Sequence, residues 1–155
     1  MTSQEDESSN SLKADSGLSW AEIRLRQLNA VAESNLKIQQ VSPASLAYLG
    51  DAVYELYIRT YYLLPPKRIC DYHHQVVAQV RAESQANHLR SLEPHLTAPE
   101  LEILRRGRNA VTGSPRRLEP KTYQQATSLE TLMGYLYLTN PQRLTQLLAH
   151  LDLDP

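Results

Sequence analysis

Asp51 and Glu55 stand four residues apart in the run SLAYLGDAVYELYIR, Ser45 to Arg59, among apolar and aromatic residues at helical spacing. On a helix this places both carboxylates on one face with Cβ atoms about 5–6 Å apart, where like charges repel. Asp is a poor residue for a helix interior, and Gly50 beside it costs about 1 kcal/mol relative to Ala. Both choices make sense if Gly50 admits a close helix neighbour and Asp51 meets a cation. The plainer alternative is a solvated stripe in which Arg59 pairs with Glu55 one turn away. The run ATSLETLMGYLYL repeats the pattern, with Glu130 among Leu129, Leu132, Met133, Leu136 and Tyr137 and with Gly134 one turn on. Taken alone, Glu130 reads as an ordinary exposed glutamate. Together, two helices that each carry an acid and a glycine in an apolar run predict an antiparallel pair in close contact, with Asp51 and Glu130 meeting at its edge. Paired carboxylates suit Mg²⁺, a hard cation commonly held by one or two acids and completed by water.

The elements that must position these acids are helices throughout. Ser42 followed by Pro43 gives an N-cap and a proline at the first helical position, opening a helix to about Leu64, where Pro65 and Pro66 stop it. Further helices are expected from Ile69 to Leu92, from the Thr97/Glu100 capping box to Arg106, from Thr122 to Leu138, and from Asn140–Pro141 to Leu151. GRNAVTGSPRRLEPK reads as a loop. No alternating strand pattern occurs, so the fold class is all-α. Upstream, residues 1–18 are polar, serine-rich and acidic and read as a disordered tail. Residues 19–40, opened by a Ser19/Glu22 capping box, read as an N-terminal helical extension, and 41–155 as the main domain, which carries both acids.

At 155 residues with 41% hydrophobic content the chain suffices for one domain with one core, and its nine tyrosines against no phenylalanine favour a core open to a cleft or interface. The single cysteine, Cys70, excludes an intramolecular disulfide and forms no zinc pattern with His73 and His74, which points to a reducing, cytoplasmic setting. No run approaches the roughly 18 apolar residues of a membrane span. The net charge of −1 conceals a segment, Leu101 to Lys121, in which Arg105, Arg106, Arg108, Arg116, Arg117 and Lys121 face only Glu102 and Glu119. A cluster of this kind suits recognition of a nucleic-acid backbone, since each phosphate neutralised releases condensed counterions. With Asn109, it is suited to the shallow minor groove of double-stranded RNA, where shape and 2′-hydroxyls are read in place of sequence. A solvated basic loop is the competing reading.

The run SLAYLGDAVYELYIR resembles the signature helix of the ribonuclease III family, and TSLETLMGYLYL resembles its second acidic helix. The segments RAESQANHLRSL, LTAPELEILRRGRNAVTG and PKTYQQATSLETLMGYLYL are similar to the short bacterial branch that lacks a double-stranded RNA-binding domain. The resemblance spans roughly Val41 to Leu151. It implies that Asp51 and Glu130 are the catalytic carboxylates and Mg²⁺ ligands. Full-length members carry two further acids, at positions held here by Ala47 and Thr127; this implies fewer protein ligands per cation, with Glu55 and Thr127 as residues that could orient the metal's water shell. It further implies a homodimer acting on double-stranded RNA, the stem of a 23S ribosomal RNA precursor, with ribosomal proteins or a pre-ribosomal particle as accompanying partners. The rival expectation is a non-catalytic dimeric RNA-binding module of the same fold.

Overall fold

The Ser42 side chain accepts from the Ser45 backbone N–H at 3.1 Å and opens helix α1 (Pro43–Tyr61), with Pro43 in the first turn where no N–H is needed. The computed structural model describes Ile23, which is helical, and residues 37–155; the tail and most of the extension expected over 1–40 lie outside the described residues. After α1 come α2 (Ile69–Val80), α3 (Ala82–Leu92), α4 (Ala98–Asn109), α5 (Pro120–Thr139) and α6 (Pro141–Ala149), with single 3₁₀ turns at Ile38–Gln40 and Glu93–His95. Every regular element among the described residues is helical, as the sequence predicts, and none of these helices is long and apolar enough to cross a membrane.

Two expectations need correction: the loop read over GRNAVTGSPRRLEPK is shorter at both ends, since α4 continues through Gly107 to Asn109 and α5 begins at Pro120, and a second change is larger. The single helix foreseen from Ile69 to Leu92 is two helices, broken at Arg81, whose backbone is extended at φ −64°, ψ 154°. The Ser84 hydroxyl donates to the Ala78 carbonyl and accepts from Arg81 Nε at 3.3 Å, which bridges the break. No glycine or proline marks the position. The break re-aims the chain, so that α3 turns Gln85, Ala86, His88, Leu89 and Leu92 inward.

Helix α5 runs through the middle, packed against α1, α3, α4 and α6. It is accordingly buried on several sides, by Leu129, Leu132, Met133 and Leu136 among others, in place of a single apolar stripe. Its tightest contact is with α1. A Cβ placed on Gly50 would lie 1.7 Å from the Glu130 carbonyl oxygen, and one on Gly134 would lie 2.0 Å from the Leu46 carbonyl oxygen. As position 46 meets 134 and position 50 meets 130, the two helices run antiparallel with backbone on backbone. On the opposite flank, a Cβ on Gly107 of α4 would stand 2.5 Å from Thr131 Oγ1.

Two polar assemblies complete the frame. Thr97 and Glu100 form the expected capping box at α4, and Glu100, 5% exposed, also takes two bonds from Arg143 of α6, at 2.9 Å each. The Arg143 guanidinium holds the Glu100 carboxyl below the usual carboxylate range and donates as well to the His95 carbonyl at 2.7 Å. Elsewhere Tyr54, fully buried, donates to the Gln79 carbonyl at 3.1 Å and meets Nδ1 of the buried His88. Leu46, Val53 and Tyr54 of α1 all lie in the core. The outward stripe of α1 consists of Tyr48, Ala52 and Leu56, with Tyr48 86% exposed.

Candidate active site

The glycine crossing sets the site. Because α1 and α5 touch at backbone distance, Asp51, next to Gly50, and Glu130, one turn before Gly134, emerge side by side at the floor of a groove of about 640 Å³. Asp51 is exposed and Glu130 half-buried. Burial pushes the Glu130 carboxyl up to about 7, and the neighbouring Asp51 charge pushes it in the same direction. The buried Gln85 amide, which lines the same groove, opposes both by favouring the charged form. Two hard carboxylates side by side, with the charge of Asp51 raising the proton affinity of Glu130, are a donor set a divalent cation fits, because it would offset that repulsion. Among the described residues no third His, Cys, Asp or Glu joins the pair. Ala47 and Thr127, at the two positions where the family resemblance leads one to look for further acids, line the same groove without a charge.

The other expected residues are distributed unequally. Glu55 lies outside the groove lining and is bound by Arg59, with Nε at 3.1 Å and Nη2 at 2.6 Å from Oε1. Arg105, Arg106, Arg108, Asn109, Arg116, Arg117 and Lys121 are all exposed. Arg105 is chelated by Glu102 at 2.6 and 2.8 Å, whereas Arg106 and Arg108 close the last turn of α4 where the chain turns into one wall of the groove. That wall is made by Ala110, Val111, Thr112, Gly113 and Leu118, so the basic segment borders the acids without reaching them. His73 and His74 are exposed on α2 and outside the groove. Among the groove residues that were not foreseen are Tyr123 on α5 and Gln85 on α3. Gln85 carried a signal, since it shares the i, i+4, i+7 stripe of Leu89 and Leu92; that face becomes readable only once the break at Arg81 is known.

Comparison with known proteins agrees with this geometry. The Ribonuclease III domain family matches residues 44–141, spanning both acids and the basic segment. That match defines the class, a helical RNA endonuclease domain. Mini-ribonuclease 3 of Synechocystis sp. is 60% identical over 116 residues, covering 75% of this chain and 81% of that protein. Mini-ribonuclease 3 of Clostridium tetani is 38% identical, covering 66% and 70% respectively. A crystal structure of a protein from Fusobacterium nucleatum superimposes with a TM-score of 0.68 at 30% identity, covering 74% of this chain and 95% of that one. The chain belongs to the Mini-ribonuclease 3 branch of the ribonuclease III family, and its activity is that of an endoribonuclease.

Proposed function

We propose that the protein cleaves double-stranded RNA in a Mg²⁺-dependent hydrolysis, leaving 5′-phosphate and 3′-hydroxyl ends, and that its cellular substrate is the stem flanking 23S ribosomal RNA precursors. One observation carries the chemistry: Asp51 and Glu130, from different helices, are brought together on a groove floor where the Asp51 charge and burial both disfavour the charged form of Glu130. Asp51 and Glu130 would hold the cation, which supplies neutralisation of the scissile phosphate and activation of water near neutral pH. The chain's own residues do the rest. Glu130, held by its clamped backbone, presents one carboxylate from the buried side, and Asp51 presents the other from the solvent side. The groove wall of Ala110 to Gly113 and Leu118 limits approach to one direction. The exposed Arg106, Arg108, Arg116, Arg117 and Lys121 attract the backbone on either side of the cut.

The apolar stripe Tyr48, Ala52 and Leu56 beside Asp51 supports a homodimer that places one groove against each strand. A monomer at micromolar concentration in analytical ultracentrifugation contradicts two-strand cleavage by paired sites. The decisive assay incubates duplex RNA with the protein in Mg²⁺ and in EDTA, alongside Asp51→Asn and Glu130→Gln. Expected are cleavage in Mg²⁺ only, its loss by about 10³-fold or more in both variants, and retained RNA binding. Binding without cleavage in every sample, on an authentic precursor stem, identifies a non-catalytic binding module.

A further inference from the structure

Gln85 is 2% exposed, yet it carries an amide into the interior beside the catalytic groove. An amide removed from water without a partner is strongly disfavoured, and on its α3 stripe with Leu89 and Leu92 an apolar side chain of the same size would pack without that penalty. It lines the same groove as the Glu130 carboxylate, whose charged form it favours. The backbone at Glu130 is already fixed by its contact with Gly50. What remains free is the rotation of the Glu130 side chain, which could turn away from Asp51 to relieve the repulsion between the two acids. Ala47, facing the same groove, offers no polar atom to prevent this. The amide on α3 does, from a helix whose orientation is set by the break at Arg81.

We propose that Gln85 is a positioning residue for the reaction: its amide N–H holds the Glu130 carboxylate turned into the groove beside Asp51, in the orientation a divalent cation requires. The proposal rests on the reading of Asp51 and Glu130 as the cation's ligands, and its test separates the two. In the metal-free protein, the ¹⁵N–¹H signals of the Gln85 side-chain amide are expected to be protected from solvent exchange and to lose that protection in Glu130→Ala. Equal protection in that variant overturns the proposal whatever the metal does. In Gln85→Leu, of similar shape but without a donor, Mn²⁺ binding followed by electron paramagnetic resonance weakens about 10- to 100-fold. The Mg²⁺ concentration for half-maximal cleavage rises by the same factor, while the rate at saturating Mg²⁺ recovers to within a few-fold and the thermal midpoint is not lowered. Wild-type Mn²⁺ affinity in a folded Gln85→Leu protein overturns the assignment. Should that variant fail to fold, Gln85→Met carries the same expectation. Asp51→Asn is the control for the parent reading: if it leaves Mn²⁺ affinity untouched, the cation site fails, and the amide spectrum still decides the Gln85–Glu130 contact on its own.

Discussion

The two halves of the site are built in opposite ways. At the acidic half, Gly50 and Gly134 bring two backbones so close that a single added carbon would fall 1.7 or 2.0 Å from a carbonyl oxygen. At the basic half, Gly113 has nothing within 4 Å of where its Cβ would be, and the arginines around it are exposed. The contrast suits the two tasks proposed for them. Orienting two like charges for one cation demands positional accuracy, which only packed main chain supplies. Gripping the uniformly charged backbone of a duplex demands reach and charge, which long side chains on an open segment provide.

The sharpest way to break the comparison is to add one methyl group to each side of it. Gly50→Ala or Gly134→Ala is expected to destabilise by about 3 kcal/mol or more, because the neighbour in the way is backbone and cannot rotate aside. Gly113→Ala is expected to stay within about 0.5 kcal/mol in the same urea titration. Equal effects at both sites dissolve the distinction. Next in size is Glu100→Ala, which leaves the Arg143 guanidinium and the α4 cap without their partner. About 2–3 kcal/mol should be lost by thermal or chemical unfolding, showing that rigidity extends beneath the helix that leads into the basic segment. Smaller in free energy, and visible only with RNA present, are Arg106→Ala, Arg108→Ala, Arg116→Ala and Arg117→Ala. Each should weaken duplex binding and lower the salt slope by about one unit with no change in unfolding midpoint. Arg105→Ala should do less, since Glu102 already neutralises it.

The smallest expected effect is a pH dependence on the core side of the site. Burial lowers the pKa of His88, so the folded state favours the neutral ring. The unfolded chain, with a histidine near pKa 6.5, binds the proton more readily. Stability from this residue is therefore present above about pH 6.5 and is lost as pH falls towards and through the lower folded value. Urea midpoints at pH 7.5 and 5.5 should differ more in the unmutated protein than in His88→Gln.

Much of this was legible in the sequence because it is local. Ser42–Pro43, the Thr97/Glu100 box and Asn140–Pro141 are capping signals whose physics lies within four residues, and the helix starts follow them. Gly50 and Gly134 were legible as a pair because a glycine inside an apolar helix is unfavourable unless something approaches closely. The break at Arg81 was not legible, since Arg, Ala and Ser on either side permit a helix and only the packing of α3 against α5 decides otherwise. The burial of Tyr54 was not legible for a related reason: the partners of its hydroxyl, the Gln79 carbonyl and His88, come from helices distant in sequence. Whether Glu55 serves the site or its own helix was open by spacing alone; the structure has it on Arg59.

The atom that Gly50 presses against is the main-chain carbonyl of Glu130 itself. The residue that presents the inner carboxylate therefore has no backbone freedom left to lose when a ligand arrives. What remains to be frozen is a handful of side-chain torsions, an entropy penalty of about 2 kcal/mol at most for a glutamate. If Glu130 holds a cation as proposed, a glycine that contributes no atom to the chemistry lowers the entropic cost of loading the site, because that backbone freedom was lost once, when the chain folded.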